Sequence, residues 1–204
     1  MTLQIGAVVL AAGGSTRLGR PKQLIVHEGA TLVRHAVIAA HDTGARPVIV
    51  VLGADAELVA AQVPDRPGIE TVFNPQWQTG ISSSICAGLK ALSARGVDGV
   101  LMTLADQPRV SATALDRLIA AFSENNRIVA SGYSGTSGVP AIFGSEYFPE
   151  LLKLEGDRGA GAWLRSGSDS TTVVPFPEAE VDVDTEVDVA ALYLQPSSSG
   201  QERH

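Results

Sequence analysis

Two runs, Ile5–Leu10 (I-G-A-V-V-L) and Pro47–Leu52 (P-V-I-V-V-L), are almost unbroken in apolar residues, with no alternation. A strand reads this way when both of its faces are covered, as in a parallel sheet flanked by helices. Between and after these runs, helical segments are predicted at Thr31–Asp42, Asp55–Gln62, with Asp55 as its candidate cap, Ile81–Ala94 and Ser111–Phe122. Further strands are predicted at Glu70–Phe73 and Val97–Leu104. The β-α-β-α order implies an α/β fold: a mostly parallel sheet in a three-layer α/β/α arrangement. After about Ile128 the rhythm shortens. Short strands are expected at Ile128–Ser131 and Val139–Phe143, separated by the glycine-rich Gly132–Gly138. Short helices at Tyr147–Leu154 and Gly161–Leu164, a strand at Thr171–Phe176 and a helix at Glu186–Leu194 follow. No repeat or linker divides the chain, so residues 1–194 read as one domain with room for a real core. The Ser-rich tail, Gln195–His204, is expected to be loosely ordered.

The formal charge of −7 and the lack of a long basic run argue against nucleic acid or an anionic membrane as partner. One cysteine, Cys86, allows no internal disulfide and suits a reducing cytoplasm. The N-terminus lacks the cationic start of a signal peptide, and no apolar stretch is long enough to span a bilayer. The four histidines have no metal-ligand spacing, and His35 and His41 read as structural residues of a helix. Cys86 reads as a small packed residue.

Chemistry concentrates where strands end, which in open parallel sheets is the side of the ligand cleft. The first strand runs into Ala11-Ala-Gly-Gly-Ser-Thr-Arg-Leu-Gly-Arg-Pro-Lys22. Gly13, Gly14 and Gly19 give a permissive backbone, and Arg17 and Lys22 hold positive charge beside it, which suggests a bound polyphosphate. The stretch is neither a P-loop, because Arg20 follows Gly19, nor a dinucleotide fingerprint, because Gly13 and Gly14 are adjacent. Lys22 sits in a polar loop without periodicity and is expected to contribute little to the core.

Leu104-Ala-Asp106-Gln107-Pro108 puts a carboxylate at the end of an apolar strand. Asp106 could instead cap the following helix, but Ser111 is better placed for that. In Val181-Asp-Val-Asp-Thr-Glu-Val-Asp188, alternation sets Asp182 and Asp184 on one face of an extended segment. Thr185 can begin a helix with Asp188 in the capping-box position. In Asn74-Pro-Gln-Trp-Gln-Thr-Gly80-Ile-Ser-Ser-Ser84, Gly80 and three serines open a helix, and Ser82 could be an ordinary N-cap.

Together these stretches resemble the MobA-like nucleotidyltransferases. L-A-A-G-G-S-T-R-L-G-x-P-K is similar to that family's L-A-A-G-x-S-x-R-M-G-x-x-K signature, and the likeness is nearest to the molybdenum cofactor cytidylyltransferases. The resemblance runs from Ile5 to about Leu192. It implies a Rossmann-like sheet of the nucleotide-diphospho-sugar transferase type, with a nucleotide half at about 1–110 and an acceptor half at about 111–194. The implied reaction is Mg²⁺-dependent transfer of CMP from CTP to the phosphate of a molybdopterin-type cofactor, with Mn²⁺ able to substitute and a recipient molybdoenzyme as partner. Nucleotide-binding residues would be Leu10, Ala11, Ala12, Gly13, Gly14, Ser15, Arg17, Lys22, Gly80 and Ser84. Arg17, Lys22 and Asp106 would be catalytic, and Asp106 with Asp184 would hold the metal. Mg²⁺ takes hard oxygen ligands and usually needs only one or two carboxylates besides phosphates. Asp182 is the weaker candidate. Gly80 would permit close approach of the nucleotide, Ser84 would offer its hydroxyl to the base, and Ala12 would favour a pyrimidine, since guanylyl-transferring relatives carry Gly there. Ser137–Phe143 and Gly156–Ala160 are similar to the family's G-x-P and G-D-x-G-A elements, which would place Gly138, Pro140 and Arg158 at the acceptor. Arg158 could equally sit in a surface ion pair with Asp157 or Glu155. Two alternatives stand beside this reading: transfer to a sugar or alcohol phosphate, or a non-catalytic cofactor-binding chaperone.

Overall fold

Ile5–Leu10 forms β1, and all six residues are buried. The structure, a computed structural model, describes residues 3–125, 127–165 and 171–194. The tail Gln195–His204 lies outside the described residues. After the glycine loop come a small antiparallel ribbon, β2 (Val26–His27) and β3 (Ala30–Thr31), and then α1 (Leu32–Asp42). The chain continues through β4 (Val48–Leu52), α2 (Ala56–Ala60), β5 (Ile69–Phe73), α3 (Ile81–Ser93), β6 (Gly99–Leu104) and α4 (Ala112–Asn125). The second half adds β7 (Ile128–Tyr133), β8 (Thr136–Gly144), α5 (Phe148–Leu151), α6 (Ala160–Arg165), β9 (Thr171–Pro175) and α7 (Glu186–Leu194).

Seven strands make one sheet in the order β5-β4-β1-β6-β8-β7-β9. Only β8 runs against its neighbours, so the sheet is mostly parallel as expected. Two apolar layers follow from strand alternation. Ala7, Val9, Val50 and Leu101 pack against α1 and α4 through Val33, Val37, Leu115 and Leu118. Val8, Val51, Val100 and Met102 pack on the other face against α3, α5 and α6 through Ile85, Leu89, Leu151 and Leu164. A third cluster, Leu18, Ile25, Leu32, Val183, Val189 and Leu192, seats α7 beneath the glycine loop.

Two local expectations are corrected. The stretch 132–138 does not separate β7 from β8. Ser134 (φ 48°) and Gly135 (φ 72°) both take left-handed conformations, the form of a two-residue hairpin turn that continues the twist of the ladder. Tyr133 therefore still pairs with Thr136. Asp55 does not cap α2 with its side chain, because its own backbone is left-handed (φ 50°) and not extended as a capping residue requires. Ser111 does cap α4, with Ala114 N–H donating to Ser111 Oγ at 3.2 Å.

Candidate active site

The sheet reverses its winding at β1. From β1 the chain crosses to β4 and β5 on one side, then returns to β6 on the other. Loops leaving the carboxyl ends of β1 and β6 therefore diverge and leave a crevice. The last residues of these strands, Leu10 and Leu104, are paired in register. The glycine loop and Asp106 thus start side by side. They line a cleft of about 500 Å³, a volume suited to a small organic ligand.

The glycine loop is polarised. Its carbonyls are used within the protein: Leu10 O accepts from Ala105 N–H at 3.2 Å, Ala12 O from Ala54 N–H at 3.0 Å, and Ser15 O from Leu18 and Gly19 N–H at 3.0 Å. Among the described residues, none accepts a hydrogen bond from the N–H groups of residues 12–17. Successive unpaired N–H groups around a left-handed residue, here Ser15 at φ 49°, make an anion-binding concavity. Gly14 is required by packing, since a Cβ there would lie 2.9 Å from the ring of Trp77, which walls the cleft.

Opposite the loop, three chain segments meet at one ammonium group. Lys22 Nζ lies 2.6 Å from Asp106 Oδ2 and 2.6 Å from Asp184 Oδ1, and Arg17 Nη1 lies 3.0 Å from Asp184 Oδ2. Asp184 reaches this point because Val183 N–H donates to Asp106 O at 3.1 Å, docking the acidic strand-like segment onto the end of β6. The capping box is also present: Asp188 Oδ2 accepts from Thr185 N–H at 2.7 Å, and Asp188 N–H donates to Thr185 Oγ1 at 3.3 Å. Hydrogen bonds from Thr185 hold the Asp188 carboxyl below its ordinary pKa.

Burial works to lower the Lys22 pKa, but Asp106 and Asp184 together outweigh it and the net shift is upward. Asp182 stands at the outer edge of the cluster. The protein on its inner side, then the charges of Asp106 and Asp184, push its carboxyl up. Asp106 Oδ1 is buried and has no hydrogen-bond partner. A buried lone pair beside a second carboxylate suits a hard divalent cation that takes its remaining ligands from phosphate. Among the described residues there is no group of three or more His, Cys, Asp or Glu side chains placed for a metal. Two carboxylates alone would leave a divalent cation to take its other ligands from outside the protein.

Leu10, Ala12, Gly13, Gly14, Ser15, Arg17, Lys22, Gly80, Ser84, Asp106 and Asp184 all line this one cleft. Ala11 is buried behind it. Packing alone already requires glycine at position 80: Gly80 has φ 113°, and a Cβ there would collide with the Gly156 backbone. Ser82 does not cap α3; its N–H and Oγ both donate to Gly156 O, at 3.2 and 2.7 Å. Ser84 is buried and accepts from Asn74 Nδ2 at 3.0 Å, which fixes its hydroxyl at the cleft wall. The acceptor candidates stand apart. Gly138 and Pro140 lie buried within β8, and Arg158 is exposed on a shallow depression with Lys153 and Glu155. Among the described residues Arg158 makes no ion pair. Its neighbour Asp157 faces the cleft instead.

Two glutamines escaped the sequence reading. Gln107 is buried, and its Nε2 donates to Val139 O at 3.3 Å and Ala179 O at 3.2 Å, joining β8 to the segment before Asp182. Gln23 is buried beneath the glycine loop. The only sequence signal for either was an uncharged polar residue next to a charged candidate.

Residues 7–172 match the family described as the MobA-like NTP transferase domain. The nicotine blue oxidoreductase of Paenarthrobacter nicotinovorans is 34% identical over 79% of this chain and 81% of its own. The purine catabolism protein PucB of Bacillus subtilis strain 168 is 30% identical over 78% and 80%. Among solved structures, Rv0371c of Mycobacterium tuberculosis H37Rv superposes with a TM-score of 0.76 at 30% identity, covering 94% of this chain and 98% of that one. A structure of Rv0371c in complex with manganese gives a TM-score of 0.73 at 28% identity over the same shares.

Proposed function

This chain belongs to the MobA-like NTP transferase family, and from that premise we propose that it transfers CMP from CTP to the terminal phosphate of a molybdopterin-type cofactor. The products are the cytosine dinucleotide form and pyrophosphate. The observation that carries the reading is the meeting of Lys22, Asp106 and Asp184 at the edge of an N–H-lined loop. Cations and carboxylates are there interleaved as a metal-bound triphosphate requires.

In the proposed reaction an acceptor phosphate oxygen attacks the α-phosphorus in line. The bond from that phosphorus to the bridging oxygen breaks, and its electron pair leaves on pyrophosphate. The acceptor is ionised near neutral pH, so the chain needs no strong base. Catalysis is positioning and charge stabilisation. The loop N–H groups hold the triphosphate, and Arg17 and Lys22 exchange their carboxylate partners for its β- and γ-phosphates. Asp106 and Asp184 would hold Mg²⁺, which supplies positive charge against the phosphates. The base would rest between Ala12 and Ser84, with the Ala12 methyl opposing a purine. Gly138, Pro140 and Arg158 are assigned to the acceptor side by family resemblance, and the support near the cleft is Asp157, the neighbour of Arg158, which lines it. The proposal extends to a domain over residues 1–194, a cytoplasmic setting and delivery to a recipient molybdoenzyme. No helix among the described residues is long and apolar enough to cross a membrane.

The test is pyrophosphate release with CTP, GTP and ATP, with and without molybdopterin, under Mg²⁺ and then EDTA. The expected result is metal-dependent release with CTP only when the pterin is added. Preference for GTP in competition would overturn the cytidylyl assignment. A second reading, a nucleotide-cofactor protein in a redox step, draws on the 34% identity to nicotine blue oxidoreductase. It predicts no pyrophosphate release with any of the three nucleotides.

A further inference from the structure

A phosphate-binding loop must present N–H groups and hide carbonyls, yet each peptide unit carries both. A loop without helical or strand ladders has no built-in reason to choose. Here Leu10 O and Ala12 O are taken by backbone N–H groups of neighbouring segments. The alternate carbonyls, Ala11 O and Gly13 O, are taken by one side chain. Gln23 Nε2 donates to Ala11 O at 3.0 Å and to Gly13 O at 2.7 Å. Its Oε1 accepts from Ser15 Oγ at 3.4 Å, and Ser15 Oγ accepts from Lys22 N–H at 3.1 Å. The amide orientation is decided by these partners, because the flipped form would set its oxygen against two carbonyl oxygens. Gln23 is 3% exposed, so no water can replace it at those carbonyls without reorganising the loop.

We propose that Gln23 is the positioning residue that sets the polarity of the glycine loop, and through it the loop's affinity for the triphosphate part of the nucleotide. By occupying the two carbonyls that backbone leaves unpaired, it turns the oxygens inward and the N–H groups of Ala12 and Gly14, on the same two peptide planes, toward the cleft. Without it, Ala11 O and Gly13 O are buried acceptors lacking donors, and rotation of either peptide plane toward solvent places a carbonyl dipole against phosphate. The same side chain ties the loop to Lys22 through Ser15, so loop and cation are placed as one unit. Gln23 also borders the cleft, but its amide nitrogen is already committed to the two carbonyls.

The inference rests on the nucleotidyltransferase reading, and the experiment separates the two. Binding of CTP, inorganic pyrophosphate and cytidine is measured by calorimetry or ligand-observed NMR on the whole chain, for wild type, Gln23→Met and Gln23→Glu. Melting temperatures are recorded alongside. Methionine keeps the length and removes both donors; glutamate keeps the shape and adds negative charge. Two lost hydrogen bonds to buried carbonyls correspond to roughly ten- to hundredfold in affinity. CTP and pyrophosphate should weaken by that factor in Gln23→Met, more in Gln23→Glu, while cytidine binding is unchanged. A merely structural role would weaken cytidine as much as pyrophosphate, and that outcome overturns the proposal. So does unchanged pyrophosphate binding in a folded Gln23→Met. Should that variant fail to fold, Ser15→Ala breaks the same network from the other end and must show the same selective loss, in smaller degree. Wild type that binds neither CTP, GTP nor pyrophosphate would instead refute the nucleotide reading itself.

Discussion

Replacing Lys22 by methionine should cost stability as well as activity, and added divalent metal should return part of the stability. The ammonium sits 2.6 Å from an oxygen of each of Asp106 and Asp184. The side chains of Lys22, Asp106 and Asp184 are 17%, 15% and 27% exposed. Removing one partner from a fully buried ion pair costs about 3–5 kcal/mol, mostly from the charge left behind. Partial exposure of this cluster reduces that to roughly 2–3 kcal/mol. For a chain of this length the loss corresponds to about 4–12 °C in melting temperature. Since the Lys22 pKa is raised in the fold, its contribution is complete below the ordinary value of 10.5 and is lost as pH rises through the higher folded value. The gap between wild type and Lys22→Met should therefore stay constant between about pH 7 and 10 and close above 10.5. With the ammonium gone, millimolar Mg²⁺ or Mn²⁺ should raise the melting temperature of the variant by several degrees without nucleotide, and that of wild type by less. Scanning calorimetry with and without EDTA reads both effects. A variant that melts with wild type at pH 7 and ignores metal would refute the view that Lys22 holds the carboxylates together.

Asp106→Asn and Asp184→Asn should reduce Mg²⁺-dependent pyrophosphate release by similar factors, and the double variant should fall well short of the product of the two, as for residues acting as a unit; full additivity in steady-state assays would separate them. Asp188→Ala removes the reciprocal half of the capping box of α7, leaving the bond from the residue-188 N–H to Thr185 Oγ1, and should cost about 1 kcal/mol. Because the Asp188 carboxyl is held below its ordinary pKa of 3.8, that stabilisation is present above 3.8 and is lost as pH falls through the lower folded value, so melting curves of wild type and variant should converge only in acid. Gly80→Ala meets both a left-handed φ and the Gly156 carbonyl, and should lose about 1–3 kcal/mol in urea denaturation; a neutral result would mean that residues 154–158 do not pack there in solution.

The sheet and its cleft were legible in sequence because burial on both faces leaves an unambiguous mark. Runs such as I-G-A-V-V-L and P-V-I-V-V-L admit few structures, and a parallel sheet places strand ends, and therefore Lys22 and Asp106, on one side. The capping box at Thr185 and Asp188 was equally readable, since its partners are three residues apart. Three matters were settled only in three dimensions. The charge partners of Lys22 come from residues 106 and 184, and no local pattern states that both close on the same ammonium or that they make Lys22 matter to stability. Gly80 is required by a carbonyl 76 residues downstream, so spacing within its own motif could suggest only a ligand. The polarity of the glycine loop depends on the direction in which peptide planes face. That direction is chosen by the buried amide of Gln23, a residue whose type and position in sequence carry no mark of what it touches. Short-range preference and burial pattern are written along the chain; the pairing of polar groups from distant segments exists only once the sheet has brought those segments together.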